Sequence, residues 1–490
     1  MKIKGRFAIL AAIFLATFMT SVEVTIVTTA MPTIISELHG LEIQSWVFAV
    51  YLLISAITTP LYGKLSDAIG RKNIFIFGLA LFIIGSFLCG LAPDMLTLII
   101  FRLIQGIGAG AIMPLTFTII ADLFSFEERA NILAFNNTAW AISALAGPLL
   151  GGWIVDTLSW HWVFFINVPL GLLTIALTAW GYHDHHKKTS QINMDWSGIA
   201  SLSVLLLSLL MIFQELGASR INWLWELILV LVFFASTYWF IRAEKKAKDP
   251  IFQIEMFKNR TFSIQIMVSL LLSGALIGYN IYFPIWLQAI YRVPAFLAGL
   301  TLTPSSVMWM VSGFFVGWLM KKFKTKQLFL LISGILTLLS LPLVFASVTF
   351  PMFYFYLIAG LMGACMGIIL TMSTLIAQNL VPKENIGLAS SMIVLGRTLG
   401  QAMMTGIFGL AFSLGINSGL TNHQELNFQQ VNEFISSSTA SEVPIRLKNL
   451  LDQVVLGAIH SVFWIVTSLC LLTLIVCCFE KQGSKRDIKE

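Results

Sequence analysis

Fourteen apolar runs, each long enough to cross a lipid bilayer, leave this chain few folds to choose from. A helix rises about 1.5 Å per residue, so a hydrocarbon core of about 30 Å needs roughly 20 residues. The runs cover about 7–32, 44–62, 73–92, 96–121, 131–155, 160–181, 197–214, 223–241, 262–290, 296–320, 327–347, 351–380, 386–414 and 454–479. Only 11% of the residues are charged, against about 25% in a soluble domain. The chain reads as an all-α, polytopic membrane protein embedded in the lipid bilayer.

Charge orients it. About 24 of the 30 Lys and Arg fall on the N-terminal side of the membrane. Arg220, Arg292, Arg446 and Lys448 fall opposite, and Arg102 and Arg397 lie within spans. This bias, with an even number of spans, places both termini in the cytoplasm. Lys2, Lys4 and Arg6 resemble the start of a signal peptide. The run behind them is too long for an h-region and no cleavage site follows, so a retained first helix is expected. The net charge of +6 is spread over short loops and is no nucleic-acid footprint. The basic connection 242–262 is cytoplasmic. The outer connection 415–453 is rich in Ser, Asn and Gln and reads as a solvated loop, in which 443–456 is able to lie on the membrane surface as an amphipathic turn.

Several chemistries are excluded. No G-x-x-x-x-G-K-[ST] phosphate loop and no catalytic constellation appears, so neither ATP hydrolysis nor an enzyme activity is expected. Cys89, Cys365, Cys470, Cys477 and Cys478 lack metal-ligand or disulfide spacing. His183, His185 and His186 stand in a short cytoplasmic loop without further ligands and read as a polar linker. No metal and no cofactor is expected.

The first run holds one acid, Glu23, and no other charge from Phe7 to Pro32. A carboxylate near the membrane midplane costs about 2.5–3.5 kcal/mol on insertion scales. Such a residue marks a proton, ion or substrate site by default; the alternative is an ion pair that fixes helix packing. Glu23 lies roughly 14 Å from the outer end of its span, and Arg102 roughly 10 Å below the outer end of span 4. The two fall at similar depth.

A repeat divides the chain. GKLSDAIGRK, Gly63–Lys72, follows span 2, and GWLMKKFKTK, Gly317–Lys326, follows span 10, in the same frame. Two six-helix halves with two inserted helices follow from that placement: 1–181, an insert at 182–261, and 262–490. Repeated halves around a central site are a common transporter architecture.

The Gly63–Lys72 loop resembles the G-x-L-x-D-x-x-G-R-K loop of the major facilitator superfamily. FRLIQGIGAGA (Phe101–Ala111) is similar to its fourth-helix R-x-x-Q-G motif, and ALAGPLLGG (Ala144–Gly152) to the G-P-x-x-G-G motif associated with antiporters. EVTIVTTAMP (Glu23–Pro32), WHWVFFINVPLG (Trp160–Gly171), AGLTLTP (Ala298–Pro304) and GLASSMIVLGRTLG (Gly387–Gly400) resemble stretches of the fourteen-helix drug:proton antiporters. Glu23 replaces the usual Asp, Thr28 an Asn, Ser143 a Gly and His161 an Arg, and Lys321 occupies the Asp position of the repeated loop. Spans 10 and 13 hold no acid, which argues against a multi-proton mechanism.

The resemblance implies the major facilitator fold and a proton-coupled antiporter exporting amphipathic or lipophilic small molecules across the cell membrane, working as a monomer. The alternative is a dedicated exporter of an endogenous solute or lipid by the same machinery. On this reading Glu23 carries the proton, the coupling ion, and Arg102 helps expel it. Asp67, Gly70, Arg71 and Lys72, with Asp122 and Arg129 beside them, form a conformational latch. Gly147, Pro148, Gly151 and Gly152 form a kinked, close-packed gate. Substrate contacts are expected from Glu23, Gln105, Asn136, Asn137, Tyr282, Gln288, Trp309, Met310 and Gln401. Arg397, deep in span 13, either attracts an anionic group or braces its helix.

Overall fold

The computed structural model describes residues 3–38, 44–183, 195–216, 222–247, 254–293, 298, 300–382, 385–422, 426, 430–431, 434 and 445–480. Among them the regular structure is helical, with no strand. The helices are α1 (Ile3–Leu38), α2 (Gln44–Ile69), α3 (Arg71–Cys89), α4 (Met95–Leu123), α5 (Phe126–Thr157), α6 (His161–Phe165), α7 (Asn167–Gly181), α8 (Trp196–Leu216) and α9 (Trp223–Lys246). They continue with α10 (Ile254–Lys258), α11 (Arg260–Ala289), α12 (Thr303–Lys322), α13 (Thr325–Phe345), α14 (Met352–Asn379), α15 (Ile386–Asn422) and α16 (Ile445–Cys478).

Eleven helices among the described residues are long and apolar enough to cross a membrane. The runs expected at 131–155, 197–214 and 296–320 are also helical, as α5, α8 and α12, but fall outside those eleven. A further difference concerns 443–456. From Ile445 onward it is the opening of the long helix α16 rather than a loop. Leu426, Val431 and Phe434, between α15 and α16, are buried.

Local signals set the helix ends. Asp94 caps α4, its carboxylate accepting from the Thr97 amide at 2.9 Å. Ser125 and Glu128 form a capping box at the start of α5. The Ser125 backbone and hydroxyl donors hold the Glu128 carboxyl below the ordinary carboxylate range. Arg129 donates to the carbonyls of Ala121 (2.5 Å) and Phe124 (3.1 Å), satisfying the last turn of α4.

Two compact units emerge. One comprises Met1–Leu207, Val232–Gln265 and Thr371–Thr398; the other comprises Ser208–Leu231, Ile266–Leu370 and Leu399–Glu490. The division therefore cuts through α14 and α15, whose adjoining ends belong with the first unit. In that unit α4 packs between α2 and α3 on glycines. A Cβ on Gly106 would come within 2.8 Å of the Tyr51 carbonyl, and one on Gly108 within 2.6 Å of the Gly78 carbonyl. Gly147 and Gly151 of α5 seat against Thr25, Ile26 and Thr29 of α1. Close backbone approach of this kind is how membrane helices associate.

The second unit is built on aromatic packing. Phe283 contacts Tyr279 (4.7 Å between ring centroids), Phe355 (5.4 Å) and Phe463 (5.5 Å), and Trp286 contacts Phe355 (5.0 Å). At the end of α11, Arg292 adopts a φ of 56°, in the left-handed region, while the Val293 amide donates back to the Leu287 carbonyl at 3.2 Å. Glycine is the usual residue there. The arginine side chain instead donates to the Phe434 carbonyl at 2.8 Å and covers its ring at 3.6 Å. Those contacts tie Phe434 to the end of α11.

Candidate functional site

Glu23 and Arg102 meet, as their matching depths predict. Their exposures are 0% and 1%. Arg102 Nη1 donates to Glu23 Oε1 at 2.5 Å and to Gln105 Oε1 at 2.8 Å, and Nε donates to the Val47 carbonyl at 3.2 Å. The guanidinium carbon lies 4.7 Å from the ring centre of Tyr51 and 5.6 Å from that of Phe164. Burying two charges is tolerable only when their remaining hydrogen-bonding capacity is met, and here four helices and a backbone carbonyl contribute.

The other carboxylate oxygen has a partner that sequence reasoning missed. Asn167, the first residue of α7, donates from Nδ2 to Glu23 Oε2 at 2.6 Å and to Ser86 Oγ at 3.0 Å. Ser86 in turn donates to the Phe164 carbonyl at 2.8 Å. The signal was present in the Trp160–Gly171 motif, where Asn167 is the polar residue of the apolar stretch VFFINVPLG.

The helix pair α1 and α5 flanks this site. Thr17 donates to Asn136 Oδ1 at 2.9 Å, and Ser143 to the Phe18 carbonyl at 3.3 Å. Asn136 is buried and Asn137 half-buried. A Cβ on Gly152 would meet nothing within 4 Å, so Gly152 takes no part in the close approach that Gly147 and Gly151 make. The Pro148 side chain and residues His185 and His186 lie outside the described residues, while α5 is helical across position 148.

The Gly63–Lys72 loop forms a second polar cluster. Asp67 accepts from the backbone amides of Gly387 (3.2 Å) and Leu388 (3.0 Å), in the first turn of α15. Anions are favoured at such a helix start. Arg71, fully buried, donates to Asp67 at 3.3 Å and pairs with Asp122. Both of its carboxylate oxygens are engaged, Oδ1 by Arg71 and the Gly387 amide and Oδ2 by the Leu388 amide. Gly70 has a φ of 113°, which lets the chain turn between α2 and α3. Lys72 donates to the Ala179 carbonyl at 2.6 Å. Arg129 gives its hydrogen bonds to the carbonyls of Ala121 and Phe124, while its charge is close enough to Arg71 to interact with it. Near this cluster, Gln378 donates to the Phe117 carbonyl (3.2 Å) and to Ser390 (3.0 Å).

The other expected residues are dispersed. Arg397 donates to Thr374 at 2.8 Å and lies over the Phe117 ring at 5.6 Å. Gln105 is buried against Arg102. Tyr282, Gln288, Trp309, Met310 and Gln401 belong to the second unit. There Tyr282 is buried against Phe408 and Phe412, while the other four are half-buried.

Comparison with known proteins identifies the fold and the family. The sequence profile of the Major Facilitator Superfamily matches residues 13–405. Multidrug resistance protein 3 of Bacillus subtilis is 34% identical, over 93% of this chain and 91% of that protein. Multidrug transporter protein MdtP of the same organism is 31% identical, over 94% and 84%. Multidrug efflux pump SdrM of Staphylococcus aureus is 29% identical, over 86% and 92%. Among solved structures, the human organic anion transporter MFSD10 superposes with a TM-score of 0.64 at 13% identity, covering 96% of this chain and 99% of that one. The proton:xylose symporter XylE gives 0.62 at 14%, covering 96% and 94%. At such identity the structural likeness speaks for the fold. With the profile match over most of its length, an all-helical fold and relatives that transport rather than catalyse, this multi-pass membrane chain belongs to the major facilitator superfamily.

Proposed function

We propose that the chain is a proton-coupled antiporter that exports amphipathic or lipophilic compounds from the cytoplasm. On this reading it crosses the cell membrane fourteen times, with α8 and α9 inserted between two six-helix halves and both termini in the cytoplasm. The multidrug relatives supply the cargo class. Protons moving inward drive export, and the halves alternate access to a central cavity.

The observation that carries the proposal is the buried Glu23 carboxylate, held between Arg102 and Asn167. An acid there titrates only if its surroundings change between states, because desolvation favours the neutral form and the guanidinium the charged one. Proton uptake weakens the pair with Arg102, and return of Arg102 drives the proton off. Asp67 and Arg71 hold the inner end of the first unit against the start of α15, and that latch opens once per cycle. Gly147 and Gly151 let α1 and α5 stay in contact as they tilt.

Everted membrane vesicles test this. A panel of lipophilic dyes and antibiotics is offered with and without an uncoupler, and proton movement is followed by a pH-sensitive fluorophore. Substrate-dependent proton release that the uncoupler abolishes is expected, and Glu23→Gln lowers it to background. Proton-coupled transport by the Gln variant refutes the carrier role.

A further inference from the structure

The polar atoms around Glu23 fix which form of the carboxyl this arrangement accepts. Ser86 has a single hydroxyl hydrogen and gives it to the Phe164 carbonyl, at 2.8 Å. Toward Asn167 its oxygen therefore presents lone pairs only. The Asn167 amide must turn its NH2 toward Ser86, 3.0 Å away, and the same nitrogen then faces Glu23 Oε2 at 2.6 Å. On the other side Arg102 presents a donor to Oε1 at 2.5 Å. Both carboxylate oxygens thus meet donors. A neutral acid puts a hydrogen on one of them, and that hydrogen needs an acceptor.

We propose that Asn167, its amide oriented by Ser86, is the positioning residue that sets when Glu23 takes up its proton. The arrangement described here complements the ionised carboxylate. A proton arriving from water forms an O–H bond at Oε2, and the amide turns over so that Oδ1 accepts from it. That turn breaks the N–H to Oγ hydrogen bond with Ser86. Protonation of an acid on α1 is thereby coupled to the contact between α3 and α7. No electron moves, and the proton leaves by the reverse steps. The inference rests on the reading of Glu23 as the proton carrier and gives that site its second control.

The ionisable groups that share the site are few. Tyr51 reaches it from α2, Cys89 from α3 and Arg102 from α4. Cys89 donates to Gln105 Oε1 at 3.7 Å. On α6, His161 stacks on Trp160, and the acids of the first turn of α5 are Glu127 and Glu128, at its capped start.

Infrared difference spectroscopy of the purified full-length protein, titrated with pH, tests the inference without a substrate. The protonated-carboxyl band that Glu23→Gln removes is followed in each variant. In Asn167→Leu the pH at which that band is half formed moves up by about one unit, the size expected for losing one hydrogen bond to a charged group. In Ser86→Ala it moves up by less, because the amide is kept but freed to turn. Asn167→Gln restores it toward the original value. An unchanged or lowered midpoint in both Asn167→Leu and Ser86→Ala overturns the proposal, and Ser86→Ala alone decides if the leucine variant does not fold. If Glu23→Gln removes no band at any pH, the carrier reading itself falls; if it removes one and the midpoint ignores Asn167 and Ser86, only the role of Asn167 does.

Discussion

The two loops that share a ten-residue frame are built very differently. In Gly63–Lys72, Gly63, Lys64, Ser66, Gly70 and Arg71 are buried, and Asp67 joins the start of α15 to Arg71. In Gly317–Lys326, Lys321, Lys322, Phe323 and Lys324 are exposed. Lys321 stands where the first loop has Asp67, and Lys324 where it has Gly70. Lys324 caps α13 with an ordinary φ of −70°, whereas Gly70 precedes α3 at 113°. Lys322 lies over the Trp318 ring, 4.9 Å from its centre. The comparison teaches that the frame alone does not tie helix ends together. An acid facing a helix start, and a buried base behind it, do.

The contrast predicts a graded series of effects on thermal unfolding in detergent. Arg71→Leu strips Asp67 and Asp122 of their shared guanidinium and lowers stability by about 3 kcal/mol. An equal loss in Lys321→Leu breaks the comparison. Gly70→Ala forces a side chain into the left-handed region and lowers stability by about 1–2 kcal/mol. The same change at Lys324 is close to neutral, and a matching loss there means that backbone conformation does not distinguish the loops. The smallest effect is expected from Lys321→Asp, which restores the acid on an exposed surface and changes stability by less than about 0.5 kcal/mol. A larger gain identifies a partner for that acid.

Much of this was legible in the sequence because charges are conspicuous in apolar runs. Glu23 and Arg102 announce themselves, and counting residues from the span ends puts them at one depth. Asp67 and Arg71 are equally visible in their glycine frame. Asn167 escaped because an uncharged amide beside Pro169 gives no depth signal and its two partners lie 144 and 81 residues away. Arg129 interacts with Arg71 by charge, but its hydrogen bonds go to the carbonyls at the end of α4, a capping role that its place in the sequence does not announce. The expected substrate contacts rested on residue type, and type does not say which side of a helix meets a cavity. The opening of α16 was hidden for a related reason: Arg446, Lys448 and Asp452 make it look like a loop, although helical backbone forms across them and Asp452 is buried there.

The glycines of α4 carry one last consequence. With Tyr51 seated on Gly106 and Gly78 on Gly108, the backbones of three neighbouring helices touch without side chains between them. Such a plank bends little, since no cushion of rotamers absorbs a shift. Arg102 is then a fixed post, and travel around the Glu23 carboxylate belongs to the helices that bring Glu23 and Asn167 to it. If Glu23 carries the proton as proposed, a compound wedged beside α1 or α7 would block that travel, whereas one pressed on the plank would find nothing to displace.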